Sequence, residues 1–172
     1  MTNIEIKRAG INDLDQLQKI GKQTFFETFS AGNTEENMSA YLEEWFSIAK
    51  LTTELNNHNS EFYFAILSNS VIGYLKLNFG RSQTELQDKK AVEIERIYVS
   101  KAFHGKNVGQ QLYDKAIEIA KEKNADYVWL GVWEENSRAI HFYKKNGFVE
   151  FGQHIFKLGD DEQTDIMMRL EL

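Results

Sequence analysis

Three short segments bring together residue types that could act on one ligand. In "EIERIYV", Glu93 and Glu95 alternate with apolar residues, as in a strand. The two-residue strand period predicts Glu93, Glu95, Ile97 and Val99 on one face. A carboxylate there could serve as a general base, or pair with a neighbouring cation such as Lys90 or Arg96. "KAFHGKNVGQQL" follows, running from polar residues into a helical pattern. A helix start leaves backbone N–H groups unpaired at the positive end of its dipole, which suits an anion. Gly105 and Gly109 would let a phosphate approach, and Asn107 is the residue next best suited to a left-handed backbone. Lys106 and His104 could add donors. The alternative is an unliganded strand-to-helix turn. The third segment, "GVWEENSRAIHFYKKNGF", places Tyr143 one face around from a helix start at Asn136. A phenol can protonate a leaving thiolate of similar basicity, although an aromatic at this spacing also suits a core.

These segments need a scaffold, and the rest of the chain supplies one. "IEIKRA" (Ile4–Ala9) alternates like a strand. Asn12 then reads as a helix cap, with Leu14, Leu17, Ile20, Phe25 and Phe29 at helical spacing. Asn33 reads as a second cap, with Glu36 in the reciprocal position. "EFYFAIL" and "VIGYLKLNF" flank "SNS" as a hairpin. A strand over Ala91–Val99 and a helix from about Asn107 to Lys123 follow. The apolar "YVWLGVW" (Tyr127–Trp133) predicts a central strand covered on both faces. A short helix from Asn136 ends near Gly147, a suitable left-handed residue. Two strands, about Phe148–Leu158 and Thr164–Leu170, flank the acidic "GDDEQTD". The order predicts a single α/β domain over residues 1–172, with helices on both faces of a mixed sheet.

Composition narrows the classes. The 172 residues are 42% hydrophobic and 13% aromatic, enough for a substantial core. No apolar run suits a membrane span and the N-terminus lacks a signal-peptide core, so a cytoplasmic protein is expected. With no cysteine, disulfides, thiolate metal sites and a cysteine nucleophile are excluded, and no metal is expected. The net charge of −6 argues against nucleic acid as a partner. Charge is also segregated. Gln23 to Ala49 has no Lys or Arg but carries Glu27, Glu35, Glu36, Glu43 and Glu44, whereas Lys101, Lys106, Lys115, Arg138, Lys144 and Lys145 gather near the anion loop. This suggests an anionic ligand in one place and a cationic one in another.

Together, "ERIYV…FHGKNVGQQL" and "VWEENSRAIHFYKKNGF" resemble two motifs of the GNAT superfamily of N-acetyltransferases. The first is its acetyl-CoA-binding motif, usually Gln/Arg-x-x-Gly-x-Gly/Ala. The second, Asn-x-x-Ala-x-x-x-Tyr-x-x-x-Gly-Phe, is matched by Asn136, Ala139, Tyr143, Gly147 and Phe148. "WLGVWE" and "GDDEQTD" add a similarity to the PaiA-type spermidine/spermine acetyltransferases. His104 stands where Gln or Arg is usual, and Asn107 replaces the first glycine of the pair. Backbone donors remain at both positions.

The resemblance implies a mostly antiparallel sheet of about seven strands, splayed between the fourth and fifth, with acetyl-CoA in the wedge. Ile97, Tyr98 and Val99 would line the cofactor, Ile97 and Val99 through their backbone, and the Ile97 N–H would polarise the thioester. His104, Gly105, Lys106, Asn107, Val108, Gly109 and Gln110 would hold the pyrophosphate. Asn136 would bind the pantetheine and Lys145 the outer phosphate. Tyr143 would be the general acid. Glu95 is the first choice of base for the amine and Glu93 the second. Glu27, Glu35 and Glu36 would attract a polyamine. Another amine (a protein N-terminus, a lysine, a small molecule) is the alternative acceptor, and acetyl-CoA-dependent regulation without turnover the alternative class. A monomer or a homodimer is compatible with all of these.

Overall fold

The computed structural model describes residues 3–172. Its strands are β1 (Glu5–Ala9), β2 (Ser60–Leu67), β3 (Ser70–Phe79), β4 (Ala91–Val99), β5 (Tyr127–Trp133), β6 (Val149–Leu158) and β7 (Asp161–Glu171). The helices are α1 (Leu14–Phe29), α2 (Glu35–Trp45), α3 (Ile48–Leu55), α4 (Val108–Glu122) and α5 (Ser137–Lys145). One sheet orders the strands β1-β2-β3-β4-β5-β7-β6. Every neighbouring pair is antiparallel except β4 and β5. The parallel pair follows from the α4 crossover that joins them.

Local chemistry explains the boundaries. Ser68 and Asn69 both take positive φ, the two-residue turn whose twist suits a hairpin, between β2 and β3. Thr34, not Asn33, caps α2: its hydroxyl accepts the Asn37 N–H, while the Asn33 amide turns back to the Phe29 carbonyl. Asn12 lies in a 3-10 turn, and Asp13 instead closes that turn by accepting the Gly10 N–H. Helix α3, which has no counterpart in the sequence-based expectations, begins where the Ser47 hydroxyl accepts the Lys50 N–H. Gly147 takes φ +98 just past α5.

The core has two principal halves. On one face, Val108, Leu112, Ala116 and Ala120 of α4 pack on Leu75, Leu77, Ile94 and Val128. On the other, Leu17, Ile20, Phe25 and Phe29 of α1 and Leu51 of α3 pack on Phe62, Phe64 and Tyr74. Alternate residues of β2 supply both halves, with Phe62 and Phe64 to one and Tyr63 and Ala65 to the other.

Two departures from regular pairing open the sheet. β4 and β5 pair only from Ala91 to Glu93, against Tyr127 to Trp129, and beyond that they diverge. β5 stays on β7 along its whole length. The other departure is a bulge: Lys76 faces Arg96 but Leu77 faces Ile94, so Glu95 is an extra residue on β4. A bulge bends and twists the strand that carries it. It also breaks the two-residue period. Ile97 and Val99 pack with the α4 half, while Tyr98 joins the α1–α3 half, where Glu95 meets Lys76. The expected single face of Glu93, Glu95, Ile97 and Val99 is therefore split in two. No helix among the described residues is long and apolar enough to cross a membrane.

Candidate active site

Two cavities of about 640 Å³ each lie where β4 and β5 part. They share Ile97, Tyr98, Trp133, Asn136, Ala139 and Tyr143. A molecule in one can thus reach a molecule in the other at that shared wall.

The second cavity runs along the end of β4 to the start of α4. Val99, His104, Gly105, Asn107, Val108, Gly109 and Gln110 line it. Gly105 at φ +76 and Asn107 at φ +66 are both left-handed, so the loop reverses twice before the helix. Asn107 bears this cost better than a branched residue would, since its short polar side chain tolerates that region. A Cβ at Gly105 would meet nothing within 4 Å, and one at Gly109 only Val99, at 3.9 Å. The start of α4 thus has open space beside its glycines, and a helix start leaves N–H groups unpaired, the arrangement that receives a phosphate. Past Glu93, β4 has no partner strand on its β5 side, leaving backbone groups for a ligand that lies between the strands. These features fit an extended cofactor with a pyrophosphate. Lys101, Arg138 and Lys145 supply positive charge around the opening. Of these, only Lys145 was expected at the cofactor; Lys101 and Arg138 belonged to the basic group read near the anion loop without a role of their own. Lys106, also expected at the cofactor, lies outside the lining, its ammonium 5.5 Å from the Phe103 ring.

Three side chains here are already engaged. The His104 ring lies 2.8 Å from the Val99 carbonyl and occupies one of its two lone pairs. The Asn136 side-chain oxygen accepts the Ala139 N–H at 3.2 Å and caps α5, leaving its NH₂ for other work. Glu27, expected at the amine, lines the second cavity instead and accepts the Lys101 N–H at 3.1 Å. Glu35 and Glu36 stand exposed on the first turn of α2 and line neither cavity.

Tyr143 projects from α5 into the shared wall and is only 6% exposed. Phe142 and Phe148 pack on its ring with centroids 5.4 and 5.5 Å away. Burial pushes its phenol above the ordinary value, aided by the neighbouring Tyr98. It stays protonated throughout the physiological range.

The first cavity is aromatic, with Phe25, Phe29, Tyr41, Trp45, Trp133 and Phe156 among its walls. Its floor is a buried charge cluster. The Lys76 ammonium lies 2.7 Å from Glu54 and 2.9 Å from Glu95. Arg96 reaches Glu95 at 3.2 Å and Glu54 at 3.3 Å. Two carboxylates thus neutralise two cations. Burial pushes the Glu95 carboxyl up, but Arg96 and Lys76 together outweigh it and hold it down at about 2. Glu93 is 3% exposed and shares the Asn78 amide with Glu95, at 3.0 and 2.8 Å. The Thr84 N–H and hydroxyl also donate to it. Burial still raises its carboxyl above the ordinary value, against those hydrogen bonds.

One group in this cavity was not among the sequence candidates. Asp165 of β7 lines it and has no hydrogen-bond or ion-pair partner among the described residues. Burial pushes its carboxyl up to about 6, slightly offset by His154. The sequence signal was present in outline, since the strand expected over Thr164–Leu170 places Asp165 on the same face as Met167.

This geometry has counterparts. The model of the "Acetyltransferase (GNAT) family" matches residues 16–148. The chain is 39% identical over 172 residues to the "uncharacterized N-acetyltransferase in pepI 3′region" of Lactobacillus delbrueckii subsp. lactis, covering 100% of this chain and 99% of that protein. It is 27% identical over 170 residues to the spermidine N(1)-acetyltransferase of Thermoplasma acidophilum, covering 96% of each. The crystal structure of the PaiA N-acetyltransferase from Thermoplasma acidophilum in complex with coenzyme A superposes with a TM-score of 0.81 at 25% identity, over 99% of both chains. A splayed β4–β5 wedge, a left-handed loop at a helix start and these relatives agree: the chain belongs to the GNAT family and is an acetyl-CoA-dependent N-acetyltransferase.

Proposed function

We propose that the chain acetylates a primary amine of a small cationic molecule, with a polyamine such as spermidine as the leading acceptor. The observation that carries this reading is the meeting of two unlike cavities at Tyr143. One presents a helix start and unpaired strand backbone, and the other presents aromatic walls around a carboxylate without a partner. Ring faces attract an ammonium by about 0.5–2 kcal/mol each. The likeness to a spermidine N(1)-acetyltransferase across nearly the whole length supports the same acceptor class.

In this reading acetyl-CoA enters from the second cavity and supplies the thioester. The loop from Gly105 to Gln110, without Lys106, holds the pyrophosphate through backbone N–H groups, the His104 N–H being donated to the Lys101 carbonyl, and Lys101, Arg138 and Lys145 neutralise phosphate charge. The Ile97 N–H lies on the unpaired side of β4 and stabilises charge on the thioester oxygen. The Asn136 NH₂ steadies the pantetheine. Tyr143 donates its proton to the departing sulfur. With no cysteine in the chain to carry an acetyl group, attack by the amine is direct. Glu95 is a weak proton acceptor when two cations hold it ionised, and the hydrogen bonds on Glu93 occupy both of its oxygens. We therefore assign these two carboxylates to shaping the floor of the site rather than to taking the proton.

The test follows free thiol released from acetyl-CoA in the presence of spermidine, spermine, 2-phenylethylamine and an N-terminal peptide. Faster release with the two polyamines than with the other amines is expected. Equal or faster release with the peptide would move the acceptor to a protein N-terminus.

A further inference from the structure

We propose that Asp165 receives the ammonium of the acceptor and takes its proton before attack. This rests on the reading of the chain as an amine acetyltransferase, and adds the residue that makes the amine nucleophilic.

Three observations converge on Asp165. The first is elimination within the cavity. Glu54 and Glu95 are paired with Lys76 and Arg96, Glu93 with Asn78 and Thr84, and Glu85 with His154 at 2.8 Å. Asp165 alone among the lining carboxylates has no such partner among the described residues. The second is position. Its neighbour across the β5–β7 ladder is Trp133, which lines both cavities. The third is space. In the otherwise bulky β5, Gly131 lies beneath the carboxyl, and a Cβ there would come within 3.5 Å of Asp165 Oδ2. A large side chain at 131 would crowd the space beside that carboxyl.

The proton inventory closes. The acceptor arrives with three protons on nitrogen. One passes to Asp165, freeing the lone pair that forms the C–N bond as the C–S bond breaks. The Tyr143 proton goes to the sulfur. A second nitrogen proton then restores the Tyr143 phenol, and the third stays on the amide. Asp165 later releases its proton to water. Burial sets the Asp165 carboxyl at about 6, far nearer to an amine than Glu95 at about 2. The titratable groups facing it are Tyr98 of β4, Tyr41 of α2 and His154 of β6, with Glu95 and Arg96 further along β4. Burial keeps both phenols above their ordinary values, so neither ionises in the same range.

The experiment measures kcat/KM for the best acceptor among spermidine, spermine and 2-phenylethylamine, from pH 5 to 9, with acetyl-CoA saturating. In the unaltered chain kcat/KM should rise through about pH 6 to a plateau. Asp165→Asn should lower the plateau by about a hundredfold and abolish that limb, with the KM for acetyl-CoA changed by less than about twofold. Asp165→Glu should recover part of the rate. A loss of less than about tenfold in Asp165→Asn, with the limb intact, overturns the assignment while leaving the acetyltransferase reading in place. Absence of amine-dependent turnover by the unaltered chain overturns that reading, and the assignment with it.

Discussion

A carboxylate held away from its ordinary acidity should weigh on stability, and Asp165→Asn measures that weight. The Asp165 carboxyl is raised from its ordinary 3.8 to about 6 in the fold. The folded state therefore binds more protons than the unfolded state between those two values. By linkage, stability falls as pH rises through this window, and the full cost is present above it. About two units correspond to roughly 3 kcal/mol at 1.36 kcal/mol per unit. Asp165 is partly exposed, so solvent screening reduces this to about 1–2 kcal/mol. Asparagine keeps the shape and removes the charge. In a domain of this size it should raise Tm at pH 8 by about 3–8 °C. At pH 4, where the folded carboxyl is already neutral, the gain should shrink to a small fraction. Thermal melts of both proteins at the two pH values provide the assay. The same gain at pH 4 and pH 8, or a loss at pH 8, would refute the reasoning, because either result means that no buried charge was being tolerated there.

Three further perturbations separate roles within the site. Tyr143→Phe should lower kcat by about 10²–10⁴ while acetyl-CoA binding, read by calorimetry, stays unchanged; an unaltered kcat removes the phenol from the chemistry. Glu95→Gln leaves Lys76 and Arg96 facing Glu54 alone, and should destabilise the fold by about 3–5 kcal/mol at pH 7. Because Glu95 is held down at about 2, its stabilising contribution is present above its ordinary 4.5 and is lost as pH falls towards 2. The acid limb of kcat/KM should survive this change, and its disappearance would return the proton to Glu95. Asn107→Gly should be nearly neutral, whereas Asn107→Val should cost about 1–2 kcal/mol at φ +66 and raise the KM for acetyl-CoA; equal stability of the two variants would mean that the left-handed turn is not required.

Much of the scaffold was legible because its signals are local. Ser68–Asn69 marks the hairpin, the stripe of Leu112, Ala116 and Ala120 marks α4, and Gly147 marks the end of α5. The left-handed Asn107 follows from a residue type that tolerates that backbone where the chain must reverse. The opening between β4 and β5 is not local: it came from the resemblance, since no periodicity reveals where two strands stop pairing. The bulge at Glu95 was equally hidden. One extra residue moved Ile97 and Val99 away from the face of the carboxylates and set Glu95 beside Arg96. Charge counting along the chain picked Glu35 and Glu36, which share the sign of the cavity's carboxylates but line neither cavity. Asp165 sat at the start of the expected last strand and at the end of an acidic stretch, and β7, which begins at Asp161, places it in the lining of the first cavity. Which of several like charges faces a cavity is decided by strand register, a long-range property.

The most direct test is a single incubation of the unaltered chain with acetyl-CoA and spermidine, with free thiol and the mass of the amine followed together. We expect thiol and monoacetylated spermidine to appear in equal amounts, and neither to form at an appreciable rate without the chain. Thiol release without an acetylated amine, or no release above the amine-free control, would contradict acetyl transfer to a polyamine at the wedge between β4 and β5.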